Sequence, residues 1–238
     1  MSTYLLVHGA WHSGESWQRV VPLLTMAGHR VLAPSLTGHG DRAHLLSPDV
    51  GLDTHVEDIV RLITDEDLTD VVLVGHSYAG LVISSVANQV PDRIAHLVHV
   101  DAMIPAHGEN AIDVVPMTRL LIDQAARTGT PWRIPPLPEM PSAGLFGVTD
   151  PADLAWLRTL LSDESVLCFE QPARLDNPAA ARIARTYIRC TLGAPPGVRP
   201  LPEVQPNGTP AQVWELPTGH DCMITMPVEL SELLLKLA

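Results

Sequence analysis

The sequence predicts one α/β domain: about six short strands in a mostly parallel sheet, with helices on both faces. Three observations carry this. Short apolar runs alternate with helical patterns along the chain, the order a parallel sheet with crossover helices requires. Two of the runs break at small-residue turns, Val7-His8-Gly9-Ala10 and Val74-Gly75-His76-Ser77. At 238 residues and 46% hydrophobic, the chain is long enough for one sizeable core.

Taken in order, strands are expected at 3–8, 30–34, 71–76, 94–100, 186–191 and 211–216. Helical patterns lie at about 16–27, 54–65, 78–89, 118–127, 152–161 and 228–237. Residues 105–185 separate the fourth strand from the fifth and are read as a small cap insertion, so the core is 1–104 and 186–238. Inside the cap, residues 131–141 carry Pro131, Pro135, Pro136, Pro138 and Pro141. That is too much proline for regular structure, and the segment is read as an ordered loop crossing a pocket mouth. Ligands of parallel sheets bind at the carboxyl ends of the strands. Ala10, Ser77, Asp101 and His220 all follow predicted strands, so one face can gather them.

The segment Gly75-His76-Ser77-Tyr78-Ala79-Gly80 carries the strongest chemical signal. A strand turning sharply into a helix strains the residue at the turn. Small residues two before and two after relieve the crowding, and the serine hydroxyl is left exposed above the sheet. Ser77 is the candidate nucleophile. The backbone N–H of Tyr78, next in the chain, and that of Ala10, after the first strand, are candidate oxyanion donors. Gly9 lets that earlier loop approach a substrate closely. A serine hydroxyl needs a base, and His220, in Gly219-His220-Asp221 after the last strand, is the candidate. Trp11, His12, Met103, Trp132 and Phe146 are expected to line the substrate pocket, with Met117, Leu145, Trp156 and Phe169 as further apolar candidates.

These pieces resemble the α/β-hydrolase superfamily, in particular a small-esterase group that includes plant methylesterases, hydroxynitrile lyases and related bacterial esterases. The matching segments are Leu6-Val7-His8-Gly9-Ala10-Trp11, Pro34-Ser35-Leu36-Thr37-Gly38-His39-Gly40, Gly75-His76-Ser77-Tyr78-Ala79-Gly80, Asp101-Ala102-Met103-Ile104-Pro105 and Gly219-His220-Asp221. The resemblance implies the α/β-hydrolase fold and a Ser–His apparatus. It also implies an acid after the penultimate strand, near Leu192-Gly193-Ala194, where this chain has no carboxylate. Asp101, ending the strand after the serine turn, is the candidate in its place; capping a turn is the alternative for it. Asp221 is less suited, because a side chain rarely reaches its neighbour's ring. Glu203 and Glu215 are unconstrained. Hydroxynitrile lyases of the group depend on a lysine near the histidine, and the only lysine here is Lys236, so cyanohydrin cleavage is not expected.

Composition narrows the rest. Fifteen basic against 27 acidic residues give −12, which argues against nucleic acid and anionic membranes as partners. No apolar run approaches the roughly 20 residues of a membrane span. The three cysteines, Cys168, Cys190 and Cys222, have no metal-ligand spacing and read as reduced thiols; with no signal-peptide pattern, a cytoplasmic location is expected. No metal and no cofactor is expected, and a homodimer is one assembly the reading allows. The expected function is serine-dependent hydrolysis of a small-to-medium hydrophobic carboxylic ester through an acyl-enzyme. The alternatives are elimination, decarboxylation or cyclisation on the same fold, or a non-catalytic small-molecule binding protein.

Overall fold

The computed structural model describes residues 1–192 and 199–238. The expected family position of the acid at Gly193 and Ala194 lies outside the described residues. The chain begins with β1 (Thr3–Val7), a 3-10 turn at Gly14–Trp17, α1 (Val21–Met26) and β2 (Arg30–Leu32). Then come α2 (Leu52–Asp65), β3 (Val71–His76), α3 (Ala79–Gln89) and β4 (Ile94–Val100). The insertion holds α4 (Ala111–Val114), α5 (Thr118–Ala125), β5 (Arg133–Ile134), α6 (Pro151–Leu160), β6 (Glu164–Ser165) and α7 (Val166–Glu170). β7 (Ala184–Cys190), β8 (Gln212–Leu216), α8 (Cys222–Thr225) and α9 (Pro227–Leu235) complete the core.

Six strands form one sheet in the order β2-β1-β3-β4-β7-β8, and every neighbouring pair is parallel. Alternation along β1 shows why helices must cover both faces. Leu5 and Val7 point into one apolar cluster with Ile59, Ile63, Leu81 and Ile83. Tyr4 and Leu6 point into another with Trp17, Leu24, Leu230 and Leu234. Successive side chains of a strand face opposite ways, and each fully buried large apolar side chain contributes about 1.5–3 kcal/mol. A strand that is apolar at every position is therefore stable only with both faces covered.

Three expectations shift. The 16–27 pattern splits into the 3-10 turn and α1, because Pro22 sits in the first turn of α1, where proline is tolerated, rather than in a helix interior. The proline-rich 131–141 stretch contains β5, which pairs antiparallel with β6. Arg133 and Ile134 retain their N–H groups between the prolines, so they can join a ladder. The four- and five-residue helices α4, α7 and α8 are too short to show a helical period in the sequence. Among the described residues, no helix is long and apolar enough to cross a membrane.

The β3–α3 turn is tightly packed. A Cβ on Gly75 would lie 2.8 Å from the Ala79 carbonyl oxygen and 2.9 Å from Ile83 Cγ2. A Cβ on Gly80 would lie 1.9 Å from the carbonyl oxygen of Met103, backbone that cannot swing aside. Gly80 thus lets the segment after β4 cross directly over the first turn of α3. Gly80→Ala is expected to cost about 2–3 kcal/mol of stability, at the upper end of overpacking penalties, measurable by urea unfolding; an unchanged midpoint would show that the crossing is not tight.

Candidate active site

Ser77 sits at φ +55° at the end of β3, partly exposed. Such a conformation costs of order 1–3 kcal/mol for a non-glycine residue and persists only when surrounding bonds over-determine it. Here they do. The Ser77 N–H donates to the Val100 carbonyl (3.2 Å), and its own carbonyl accepts from the N–H groups of Met103 (2.9 Å) and Gly80 (3.1 Å).

Asp101, at the end of β4, is also left-handed, at φ +43°. Its N–H donates to the Ile188 carbonyl at 2.7 Å, and its Oδ1 accepts from the Cys190 N–H at 3.1 Å, so β7 holds it on two sides. Its Oδ2 lies 2.6 Å from His220 Nδ1. A carboxylate can only accept, so Nδ1 carries a proton, and in the neutral ring Nε2 is a basic lone pair. The His220 carbonyl is fixed from below by His76 Nε2–H at 3.0 Å. Burial, with His220 and His12 nearby, pushes the His76 pKa well below its ordinary value, so His76 serves as a neutral donor.

The loop after β1 supplies the facing wall. Among the described residues, neither the Ala10 nor the Tyr78 N–H has a hydrogen-bond acceptor. The preceding carbonyl, Gly9, accepts from His8 Nδ1–H at 2.8 Å, while His8 Nε2 accepts from the Leu36 N–H at 3.0 Å. Trp11 follows at φ +65°. Its indole N–H donates to the Ile134 carbonyl at 3.0 Å, and its ring packs at 5.8 Å from Phe146 and 5.7 Å from Phe169. These are the only two phenylalanines of the chain. Phe146, at φ +53°, also lies 6.2 Å from the His220 ring. Its carbonyl accepts from the Asp221 N–H at 3.0 Å, which docks the cap on the histidine loop.

The expected pocket residues divide. Met103 bonds Ser77 through its backbone N–H, Phe146 packs 6.2 Å from the His220 ring, and Trp11 packs on Phe146. His12 does not face a pocket: it is 1% exposed, and both ring nitrogens are bonded inward. Nδ1 meets the Ala10 carbonyl at 2.7 Å and Nε2 meets Asp221 Oδ2 at 2.9 Å. With an acceptor at each nitrogen, the ring holds both protons. Burial opposes that charge, but Asp221 and the Ala10 carbonyl outweigh it and raise the His12 pKa. Asp221, set aside as an acid for His220, is the buried counter-ion of His12. Trp132 stacks on the Arg133 guanidinium at 5.4 Å and is absent from the described aromatic contacts around Trp11. Met117 is exposed, and Trp156 lies under Arg19 on the far side of the sheet.

One group had no signal in the sequence. Glu164, fully buried in the cap, accepts from the Trp11 N–H at 3.3 Å and from the Ser165 N–H at 3.1 Å, and lies 3.2 Å from His39 Nε2. His55 completes the cluster by donating from Nε2 to the Thr37 carbonyl (2.9 Å) and accepting the Tyr78 hydroxyl at Nδ1 (3.1 Å). His39, His55 and Glu164 bring ligating atoms within 4.8 Å of one another, as do His76, His220 and Asp221. In the first group every ligating side chain is held by protein partners; in the second, Asp221 Oδ1 and His76 Nδ1 have no hydrogen-bond partner among the described residues.

Burial opposes the Glu164 charge, yet His39 and His55 bring its pKa down to about 2. A depressed carboxyl pKa stabilises the fold fully above the ordinary value and loses that contribution as pH falls toward the folded value. The stability gap between wild type and Glu164→Gln is therefore expected to narrow as pH falls through the interval between 4.5 and about 2. Urea unfolding from pH 7 to 3 reads this directly; a gap independent of pH would mean that Glu164 is not ionised in the folded chain.

Comparison with known proteins places this geometry in context. The model of a family described as "Alpha/beta hydrolase family" matches residues 4–233. A carbendazim-hydrolyzing esterase of Nocardioides sp. strain SG-4G is 36% identical over 247 residues, covering the whole of both chains. Salicylic acid-binding protein 2 of Nicotiana tabacum is 27% identical over 204 residues, 79% of this chain and 78% of its own. An extracellular alpha/beta-hydrolase from a Paenibacillus species superposes with a TM-score of 0.83 at 25% identity, covering all of this chain and 99% of its own. With its parallel sheet, its strained serine turn and a family match along nearly its entire length, the chain belongs to the alpha/beta hydrolase family and is an esterase-type member of it.

Proposed function

We propose that the protein hydrolyses small-to-medium hydrophobic carboxylic esters through a Ser77 acyl-enzyme. The observation that carries this is the 2.6 Å contact between Asp101 Oδ2 and His220 Nδ1. It supports a tautomer whose Nε2 can take the Ser77 hydroxyl proton, and a carboxylate that stabilises the imidazolium so formed. As Ser77 Oγ attacks the ester carbonyl, the carbonyl oxygen becomes an oxyanion. The Ala10 and Tyr78 amides receive it, each worth about 2.7–4 kcal/mol in comparable sites. His220 then returns the proton to the departing alcohol, activates a water, and the acid is released. Trp11, Met103 and Phe146 supply the apolar wall for the ester, and the buried Phe169 backs Trp11.

Two features favour hydrolysis over the other chemistries of the fold. The histidine has a carboxylate partner, and a relative covering the whole chain is named for hydrolysing carbendazim. Lys236, the only lysine, lies against Trp214 at 5.5 Å, away from the serine, which accords with no cyanohydrin cleavage.

The test is intact-protein mass after exposure to a fluorophosphonate, alongside turnover of p-nitrophenyl butyrate. One adduct is expected on the wild type and none on Ser77→Ala. Asp101→Asn is expected to keep the fold and lower kcat by about 10³–10⁴, as loss of the correct tautomer does in serine triads. Near-wild-type kcat in Asp101→Asn would sink the acid assignment, and an unlabelled wild type would sink the hydrolase reading.

A further inference from the structure

Resting on that reading, we propose that the Ala10–Trp11 peptide is clamped between two buried charged side chains, and that this clamp aims the oxyanion-binding amide. His12, Asp221 and Glu164 are then positioning residues.

The clamp is visible atom by atom. The Ala10 carbonyl accepts from His12 Nδ1–H at 2.7 Å. The Trp11 N–H, at the other end of the same peptide unit, donates to Glu164 Oε2 at 3.3 Å. A peptide unit is planar, so holding its carbonyl and its N–H removes its freedom to rotate. The Ala10 N–H lies one rotatable bond pair away, and the carbonyl of its own peptide, Gly9, is already held by His8. Two consecutive peptide planes are thereby fixed, and the unpartnered Ala10 N–H is fixed with them.

Each clamping group is in turn held by a buried partner from a distant part of the chain. His12 is tied to Asp221, next to His220, so the loop that binds the oxyanion and the loop that carries the base share one ion pair. Glu164 is tied to His39. All four side chains are at most 1% exposed. Stability alone is a poor explanation for this. Buried ion pairs are often neutral or unfavourable against apolar replacements, and are best explained where they enforce one geometry. The His12–Asp221 pair and the His39-bonded Glu164 carboxylate, converging on one peptide beside the candidate nucleophile, fit that use. The strain at Trp11, φ +65°, marks the spot where the loop needs enforcing.

The experiment compares two inhibitors of matched shape: trifluoromethyl hexyl ketone, which adds the serine and develops an oxyanion, and methyl hexyl ketone, which does not. Competition against p-nitrophenyl butyrate turnover gives both inhibition constants for wild type, Asp221→Asn, Glu164→Ala and Glu164→Gln, with circular dichroism to verify folding. Asp221→Asn and Glu164→Ala are expected to weaken the trifluoromethyl ketone about tenfold or more, while methyl ketone affinity stays within about twofold. Glu164→Gln keeps an oxygen for the Trp11 N–H and is expected to fall between wild type and Glu164→Ala. A merely structural role would weaken both ketones together, and that result, or unchanged trifluoromethyl ketone affinity in the folded variants, overturns the clamp. If Glu164→Ala does not fold, Glu164→Gln and Asp221→Asn decide the matter alone. A wild type that neither turns over the ester nor takes the fluorophosphonate removes the hydrolase reading itself, and the clamp with it; a wild type that does both isolates the clamp as the only proposition at stake.

Discussion

The 2.6 Å bond between Asp101 and His220 is possible only because β4, β7 and β8 lie side by side and parallel. Asp101 ends β4, Cys190 ends β7, and His220 follows β8. Register pairs Val100 with Ile188 and Ile188 with Trp214, so all three strands finish at the same edge. The neighbouring pair, β3 and β4, brings Ser77 to that edge by the same logic, with His76 opposite Val100. A one-residue slip in any of these pairings would turn side chains to the opposite face and separate the groups. Sheet register is thus the constraint on which the site geometry depends, and the two apolar clusters on either face are what hold the register.

Strain is concentrated where the site is. Among the described residues, six non-glycine residues have positive φ, and four of them, Trp11, Ser77, Asp101 and Phe146, surround the candidate nucleophile and base. Each costs of order 1–3 kcal/mol unless offset. At Ser77 and Asp101 the offset is a backbone hydrogen bond to a neighbouring strand end. At Trp11 and Phe146 it comes from the cap: the Ser162 N–H binds the Trp11 carbonyl, and the Phe146 carbonyl binds the Asp221 N–H. Gly147 and Gly219 touch backbone to backbone, and a Cβ on Gly147 would lie 2.5 Å from Gly219 Cα. The cap is therefore part of the mechanical support of the site as well as its apolar cover.

Histidines do three different jobs within a few ångströms. His220 keeps a free Nε2 because its Nδ1 has a carboxylate. His76 and His8 are desolvated into neutral donors, their pKa values pushed well down chiefly by burial. His12 keeps its charge because Asp221 outweighs the same burial. Residue type alone does not distinguish these roles; the partner at each ring nitrogen does.

Local chemistry made much of this legible in advance. Apolar runs alternating with helical patterns specify a parallel sheet with both faces covered, and all six strands fall where those runs lie. Small residues around Ser77 specify a strained turn, because only they fit within 3 Å of the backbone that crosses it. The placement of Asp101 at a strand end made it a candidate, but capping a turn explained it equally well, since neither reading could be separated without knowing that β7 and β8 lie beside β4. Glu164, Asp221 as the partner of His12, and the inward turn of the His12 ring had no local signal at all. They are pairings between residues 125 to 209 positions apart. Which segments become strands, where the serine turn lies and which residue types are available for chemistry follow from interactions over a few residues, and are readable in the chain. Which carboxylate meets which histidine follows from packing, because a buried charge takes its partner from whatever the sheet and cap bring within hydrogen-bond reach.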